Sequence, residues 1–201
     1  MKFNQANDKS KIRKPTYENN LKAKYLKEIV PYFVKKYKLK SRMAAPKLQR
    51  IIINSGIGKY KDDKEMPKKI LDDISRISGQ KAVFTKSKKA VSGFKIKEGQ
   101  IVGVRVTLRG RRMYDFLERL IVSTLPRVKD FRGIPRSNFG ARGNLNIGIK
   151  EQLAFPEIDS ENTDYIFSLQ INIVNSCQNR QKGIELMQGF GFPVQNEELN
   201  K

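Results

Sequence analysis

SGQKAVFTKSKKAVSGFKIKEGQIVGVRVTLRGRR, residues 78–112, reads as a strand, a long basic loop, a second strand and the start of a helix. The strand entering the loop spans 81–85 and the strand leaving it spans 101–108. In the second strand Val102, Val104, Val106 and Leu108 share one face, while Ile101, Gly103, Arg105 and Thr107 share the other. That is the period of two by which a strand sends alternate side chains to opposite faces. Between the strands Lys86, Lys88, Lys89, Lys95 and Lys97 face a single acid, Glu98. The connection is too long for a tight hairpin and too polar for a core, so it is expected to project. Connections beyond about 12 residues in compact domains are usually functional or disordered. A cationic projecting loop reads either as a probe for phosphate or as a solvated, mobile loop, and charge alone leaves both open.

Working outward toward the N-terminus, a helix over 67–78 carries the apolar stripe Ile70, Leu71, Ile74 and Ile77, with Pro67 in its first turn and Gly79 as its stop. Residues 48–54 are β-branched and read as a strand, with Ile51 and Ile53 on one side and Arg50, Ile52 and Asn54 on the other. Gly56 and Gly58 follow, without a complete phosphate-loop or dinucleotide pattern. Leu21, Tyr25, Leu26, Ile29, Phe33 and Tyr37 recur at helical spacing, and Pro31 inside that pattern is expected to kink or split the helix. Toward the C-terminus, Met113, Phe116, Leu117, Leu120 and Ile121 form a helical stripe that ends by Pro126. The stretch 128–143 shows no period, and interleaves Lys129, Arg132, Arg136 and Arg142 with Phe131, Phe139 and glycines, a composition suited to bringing guanidinium groups to phosphates. Alternation returns in 144–150 (Leu145, Ile147, Ile149) and from Phe167 to Ile173, and a last short helix spans 181–188. The domain reading is a flexible basic tail over 1–20, a single α+β domain over 21–193 and a polar tail over 194–201.

The totals narrow the partner. The 201-residue chain has 41 Lys and Arg against 20 Asp and Glu, a net charge of +21 that repels itself unless a polyanion neutralises it. Nucleic acid fits first and an anionic membrane surface second. The membrane reading weakens because no basic helix has a broad apolar face and no apolar run reaches 18 residues. Cys177 is the only cysteine, which excludes an intrachain disulfide framework, and it reads as a small buried residue after a strand. The chain has no histidine, which removes the commonest general base and metal ligand. Asp62/Asp63 and Asp72/Asp73 are the carboxylate pairs on which a metal-dependent nuclease would have to rest. Neighbours on a helix point about 100° apart, so Asp72 and Asp73 read as a solvated face. No cofactor and no metal site is expected.

These elements predict an α+β fold, with a mostly antiparallel sheet, helices on one face and the other face open. The open face would carry Arg50, Asn54, Arg105, Thr107, Gln170 and Asn172. These are hydrogen-bonding groups, not the aromatics that stack unpaired bases. They suit docking on folded RNA through backbone, 2′-hydroxyl and shape contacts. An RNA-processing enzyme and a free RNA-binding regulator are the competing readings.

Six blocks occur in order: IIINSGIG (51–58), ISGQK (77–81), TKSKKAVSGFKIKEG (85–99), VTLRGRRM (106–113), LPRVKDFRG (125–133) and EQLAFPEI (151–158). Together they resemble the bacterial-type large ribosomal subunit protein number five family, over about 21–193. The resemblance implies an α+β domain whose concave sheet face meets 5S rRNA in the central protuberance, next to 23S rRNA and neighbouring proteins of that region. It implies 5S contacts by Asn54, Gln80 and Thr107; Arg50 and Arg105, placed on the open face by the alternation, and Gly56 and Gly58, which permit close backbone approach, are assigned to the same RNA. It implies a P-site tRNA contact by the loop bearing Lys86, Lys88, Lys89, Ser92, Gly93, Phe94, Lys95 and Lys97. Further RNA contacts fall to Arg109, Arg132, Arg136 and Arg142. A bridge to a small-subunit head protein and a cytoplasmic ribosomal location also follow, with no membrane partner. Two departures stand out. The family's F-D-G-R-G-N-Y is FGARGNL at 139–145, and Arg111 occupies a position where an acid is common.

Overall fold

The computed structural model describes residues 20–60, 63, 65–159 and 163–195. The expected basic tail, apart from Asn20, lies outside the described residues, as do Asp62 and residues 196–201. Five strands form one sheet in the order β2-β3-β1-β5-β4: β1 (Leu48–Gly56), β2 (Val83–Lys86), β3 (Ile101–Leu108), β4 (Leu145–Ile149) and β5 (Leu169–Asn175). Every neighbouring pair is antiparallel. The inward side chains Ile51, Ile53, Val104, Val106, Leu108, Leu145, Ile147, Ile171 and Ile173 are all buried. They pack under α3 (Met66–Ser78), α4 (Gly110–Arg119) and α5 (Arg180–Phe190) with Ile70, Ile74, Phe116, Leu117, Leu186 and Met187. The core therefore sits on one side of the sheet, as the alternation predicts.

The N-terminal helix is divided just ahead of Pro31 by a change of winding. α1 (Asn20–Lys24) passes through a π-turn (Tyr25–Ile29) into α2 (Val30–Tyr37), and the Val30 amide donates to the Tyr25 carbonyl. Proline lacks the N–H that the next α-helical bond requires, and the wider turn absorbs the missing link. α4 repeats the device through a π-turn (Leu120–Thr124) just before Pro126. The wider turn also shifts the helical phase. Leu26, which the spacing places in the buried stripe, is 57% exposed, whereas Ile29 and Phe33 are buried.

Other boundaries move by a residue or two. β2 starts at Val83 and not at Lys81, β5 at Leu169 and not at Phe167, and α5 extends to Arg180–Phe190. Gly79 ends α3 in the left-handed conformation at φ 66°. Cys177 is buried, and burial pushes its thiol pKa up to about 11, which removes it as a nucleophile.

Asp73 corrects the reading of the Asp72/Asp73 pair as a solvated face. Asp72 is exposed, but Asp73 is buried and accepts a 2.6 Å hydrogen bond from the Tyr165 hydroxyl. Burial, then that hydrogen bond, push the Tyr165 pKa up. Asp63 is likewise structural. Its Oδ1 accepts from the Glu65 and Met66 amides at 2.8 and 3.2 Å, and these bonds hold its pKa below the ordinary value. It closes a side-chain turn onto the two residues that lead into α3.

Two polar clamps fix the strands' far connections. Gln152 is fully buried: its Nε2 donates to the Tyr165 carbonyl at 2.5 Å and its Oε1 accepts from the Phe167 amide at 2.9 Å. Asn175 donates through Nδ2 to the Gly143 carbonyl at 2.5 Å and accepts from the Cys177 amide at 2.8 Å. Around Gly143, the start of α5 lies so close that a Cβ on Gly183 would overlap the Gly143 backbone.

Candidate nucleic-acid interface

The outward face follows from the same alternation that builds the core. Cross-strand register sets Val83, Arg105, Asn54, Gln170 and Gly148 in one row across all five strands. The next row holds Thr107, Ile52, Asn172 and Asn146 across four strands, and Arg50 lies opposite Val174 beyond it. At strand spacings of about 4.8 Å and rises of about 3.3 Å per residue, the face measures roughly 20 Å by 20 Å. No Asp or Glu occupies an outward position on any of the five strands. Four amides (Asn54, Asn146, Gln170 and Asn172), two threonines (Thr107, and Thr85 opposite Gly103) and two arginines (Arg50 and Arg105) supply its polar groups. Each amide offers donor and acceptor together, and each guanidinium offers only donors.

Five of the seven residues assigned to 5S rRNA lie on this face or its margin: Arg50, Asn54, Gly56, Arg105 and Thr107. Gly58 is exposed just beyond the end of β1, and the positions of a Cβ on Gly56 and Gly58 meet no atom within 4 Å. Gln80 stands at the edge, where its Nε2 donates to the Thr107 carbonyl at 3.2 Å and its Oε1 accepts from Arg112 at 3.4 Å. Its side chain therefore ties the end of α3 to the end of β3. Gly103 is enclosed on this side: a Cβ there would come within 2.9 Å of the Ser55 carbonyl oxygen.

Sequence reasoning missed Asn146, Gly148 and Asn138. With Asn54, Gln170 and Lys150 they line an open depression of about 510 Å³ along β1, β5 and β4. The signal for Asn146 and Gly148 was present, because Leu145, Ile147 and Ile149 point inward. Asn138 reaches the depression from a 3-10 turn (Arg136–Asn138) in a stretch with no period.

The basic loop leaves the sheet at the Gly56 end. Its base is tied by the Ser87 amide donating to the Gln100 carbonyl (2.8 Å) and the Gly99 amide to the Ser87 carbonyl (3.0 Å). Farther out, Val91 and Ile96 exchange both backbone bonds, at 2.9 and 3.1 Å, around a 3-10 turn (Ser92–Phe94). Lys86, Lys88, Lys89, Ser92, Gly93, Phe94, Lys95 and Lys97 are all exposed or half-buried at the surface. The four remaining arginines do not join the face. Arg109 and Arg142 are exposed at the sheet's opposite end, after β3 and before β4. Arg132 lies on a segment pinned through its own carbonyl by the Gln195 side chain (3.1 Å) and, at Ile134, by the Ile134 amide donating to the Pro193 carbonyl (2.7 Å) and the Gln195 amide donating to the Ile134 carbonyl (2.9 Å). Arg136 is half-buried, and its carbonyl accepts from the Arg180 guanidinium.

In the FGARGNL turn, the backbone does the holding: the Gly140 amide donates to the Asn144 carbonyl and the Gly143 amide to the Gly140 carbonyl. Leu145, one of its departures, faces the core at 0% exposure, while Gly140 and Ala141 are exposed. Asp72 and Asp73 line a separate depression with Lys69 and Arg76 on its walls, and Asp73 is already engaged by Tyr165.

These features define the class as a structural, strongly basic α+β protein with a cationic, carboxylate-free sheet face. Two family profiles match in succession, that of ribosomal protein L5 over residues 41–97 and that of the C-terminus of the same ribosomal family over 101–194. The large ribosomal subunit protein uL5 of Streptococcus thermophilus (strain CNRZ 1066) is 43% identical over 175 residues, covering 87% of this chain and 97% of the relative. Its counterparts in Streptococcus mutans (44% over 175 residues, 87% and 97%) and Limosilactobacillus fermentum (44% over 176 residues, 88% and 98%) are similar. The chain belongs to the ribosomal protein L5 family, whose members are structural and non-enzymatic.

Proposed function

We propose that the chain, as a structural constituent of the large subunit of a cytoplasmic ribosome, docks 5S rRNA on its open sheet face within the central protuberance. The observation that carries this reading is the face itself: amides, threonines and arginines in register, with no carboxylate at any outward strand position. Arginines meet phosphates, and uncharged amides meet 2′-hydroxyls and base edges of folded RNA. Arg109, Arg132, Arg136 and Arg142 supply further contacts, to 5S or 23S rRNA. The lysine loop reaches P-site tRNA, and the subunit joins a bridge to a small-subunit head protein alongside other central-protuberance proteins. The names of the curated relatives support the large-subunit assignment. No helix among the described residues is long and apolar enough to cross a membrane.

A 5S rRNA titration at several salt concentrations tests the reading. Each phosphate neutralised contributes about −0.9 to the log–log salt slope on duplex and about −0.7 on single strands. Affinity should fall steeply with salt and exceed that for an unrelated duplex. Equal affinity for the two RNAs would remove the 5S assignment.

A further inference from the structure

The apex of the lysine loop carries a feature that charge does not explain. Phe94 is 73% exposed, whereas every other phenylalanine among the described residues is buried or half-buried. The turn that presents it is built. The reciprocal Val91–Ile96 backbone bonds close the turn, the Phe94 amide donates to the Val91 carbonyl at 3.3 Å, and the Lys95 amide to the Ser92 carbonyl at 3.0 Å. Lys95 then takes the left-handed conformation at φ 50° without being glycine. A non-glycine residue in that region carries strain that persists where the surrounding structure holds it. The turn is thus fixed with the phenyl ring outward. Lys88, Lys89, Lys95 and Lys97 surround it in sequence, against the single acid Glu98.

A solvated loop gains nothing from an exposed phenyl ring, and a pure phosphate probe needs only its ammonium groups. A flat apolar surface within a cluster of cations matches a partner that offers a flat apolar surface beside negative charge. An exposed base plane of a folded RNA, flanked by its own phosphates, has that chemistry. An apolar protein surface would meet the ring but would leave the surrounding ammonium groups without counter-charges.

We propose that Phe94 stacks on an exposed base plane of the RNA the loop reaches, while the lysines hold the adjacent phosphates. This rests on the reading of the loop as facing tRNA. It divides the loop's contact into a salt-insensitive part at the apex and a salt-sensitive part on the flanks.

The test uses ribosomes carrying the full-length chain as wild type, Phe94→Ala, Phe94→Leu, Phe94→Trp or the pair Lys88→Ala with Lys89→Ala. The readout is dissociation of deacylated tRNA from the P site across a salt series, with 5S rRNA binding of each free variant as the folding control. Phe94→Ala should speed release roughly 5- to 150-fold, the range of base–aromatic stacking, with the salt slope unchanged. Phe94→Trp should retain wild-type release, because it keeps a stacking plane, and Phe94→Leu should behave as the alanine variant. The lysine pair should speed release and flatten the salt slope. If the lysine pair has its effect but Phe94→Ala does not, stacking is wrong and the tRNA reading stands. If Phe94→Leu matches Phe94→Trp, the ring makes a generic apolar contact and the proposal is overturned. If neither set changes release, the tRNA reading falls and the proposal falls with it.

Discussion

Asn54→Asp separates the stability of the sheet from its use. Asn54 lies directly opposite Arg105 in the antiparallel register of β1 and β3, and both point to the open face. The substitution is nearly isosteric, and directly opposed strand residues have Cβ atoms about 4.5–5.5 Å apart. The new carboxylate would therefore pair with Arg105, a cross-strand attraction of about 0.2–1 kcal/mol. For a chain of this size that raises Tm by no more than about 4 °C. The same change removes an amide donor, worth about 0.5–1.5 kcal/mol, and turns Arg105 away from phosphate. It also sets a negative charge toward RNA, which costs about 0.8 kcal/mol at 5 Å in water-like dielectric. The combined loss is about 2 kcal/mol, roughly 30-fold in 5S rRNA affinity. With one phosphate contact fewer, the log–log salt slope should shrink by about 0.7–0.9. Thermal melting of the free protein and RNA titration at several salt concentrations read the two effects separately. Unchanged affinity and slope, with Tm raised as expected, would show that RNA docks elsewhere.

Four further predictions concern how the fold is held together. Gly183→Ala should destabilise the protein by about 3 kcal/mol or more, read as a fall in denaturant midpoint, because its Cβ overlaps the Gly143 backbone. Gly148→Ala, whose Cβ meets open space, should leave the unfolding free energy within about 0.5 kcal/mol of wild type. Gln152→Leu should cost about 2–4 kcal/mol in unfolding free energy, since it leaves the Tyr165 carbonyl and Phe167 amide without their partner. Glu185 gives a pH signature. Burial pushes its carboxyl up, but hydrogen bonds from Lys36, Gln181 and Tyr37 outweigh burial and hold its pKa below the ordinary 4.5. A depressed folded-state pKa adds stability above the unfolded value, and that stability is lost as pH falls through the folded one. Tm measured from neutral to acidic pH should therefore drop more steeply below about pH 4.5 in wild type than in Glu185→Gln.

The sheet was legible in the sequence because each strand has one buried face. Ile51, Ile53, Val104, Val106, Ile171 and Ile173 all point inward as their period requires, which fixes Asn54, Arg105, Thr107, Gln170 and Asn172 outward. The π-turns were not legible, because they express the needs of Pro31 and Pro126 several residues upstream, and the exposed Leu26 follows from one of them. Asp73 was misread because its partner, Tyr165, lies 92 residues away and no local pattern announces that bond. The same holds for the contact of Gly143 with Gly183 and for Asn138 beside β4, both products of distant chain segments meeting. The lysine loop was legible as basic, but its closed Val91–Ile96 turn and the outward Phe94 were not, since no periodicity encodes them.

A density map of the ribosome that contains this chain tests the central claim most directly. The account predicts 5S rRNA packed on the open face, with ribose, phosphate or base-edge atoms within hydrogen-bonding distance of Asn54, Thr107, Arg105 and Gln170. Solvent or another protein across that face, with 5S rRNA placed against the helices, would contradict it.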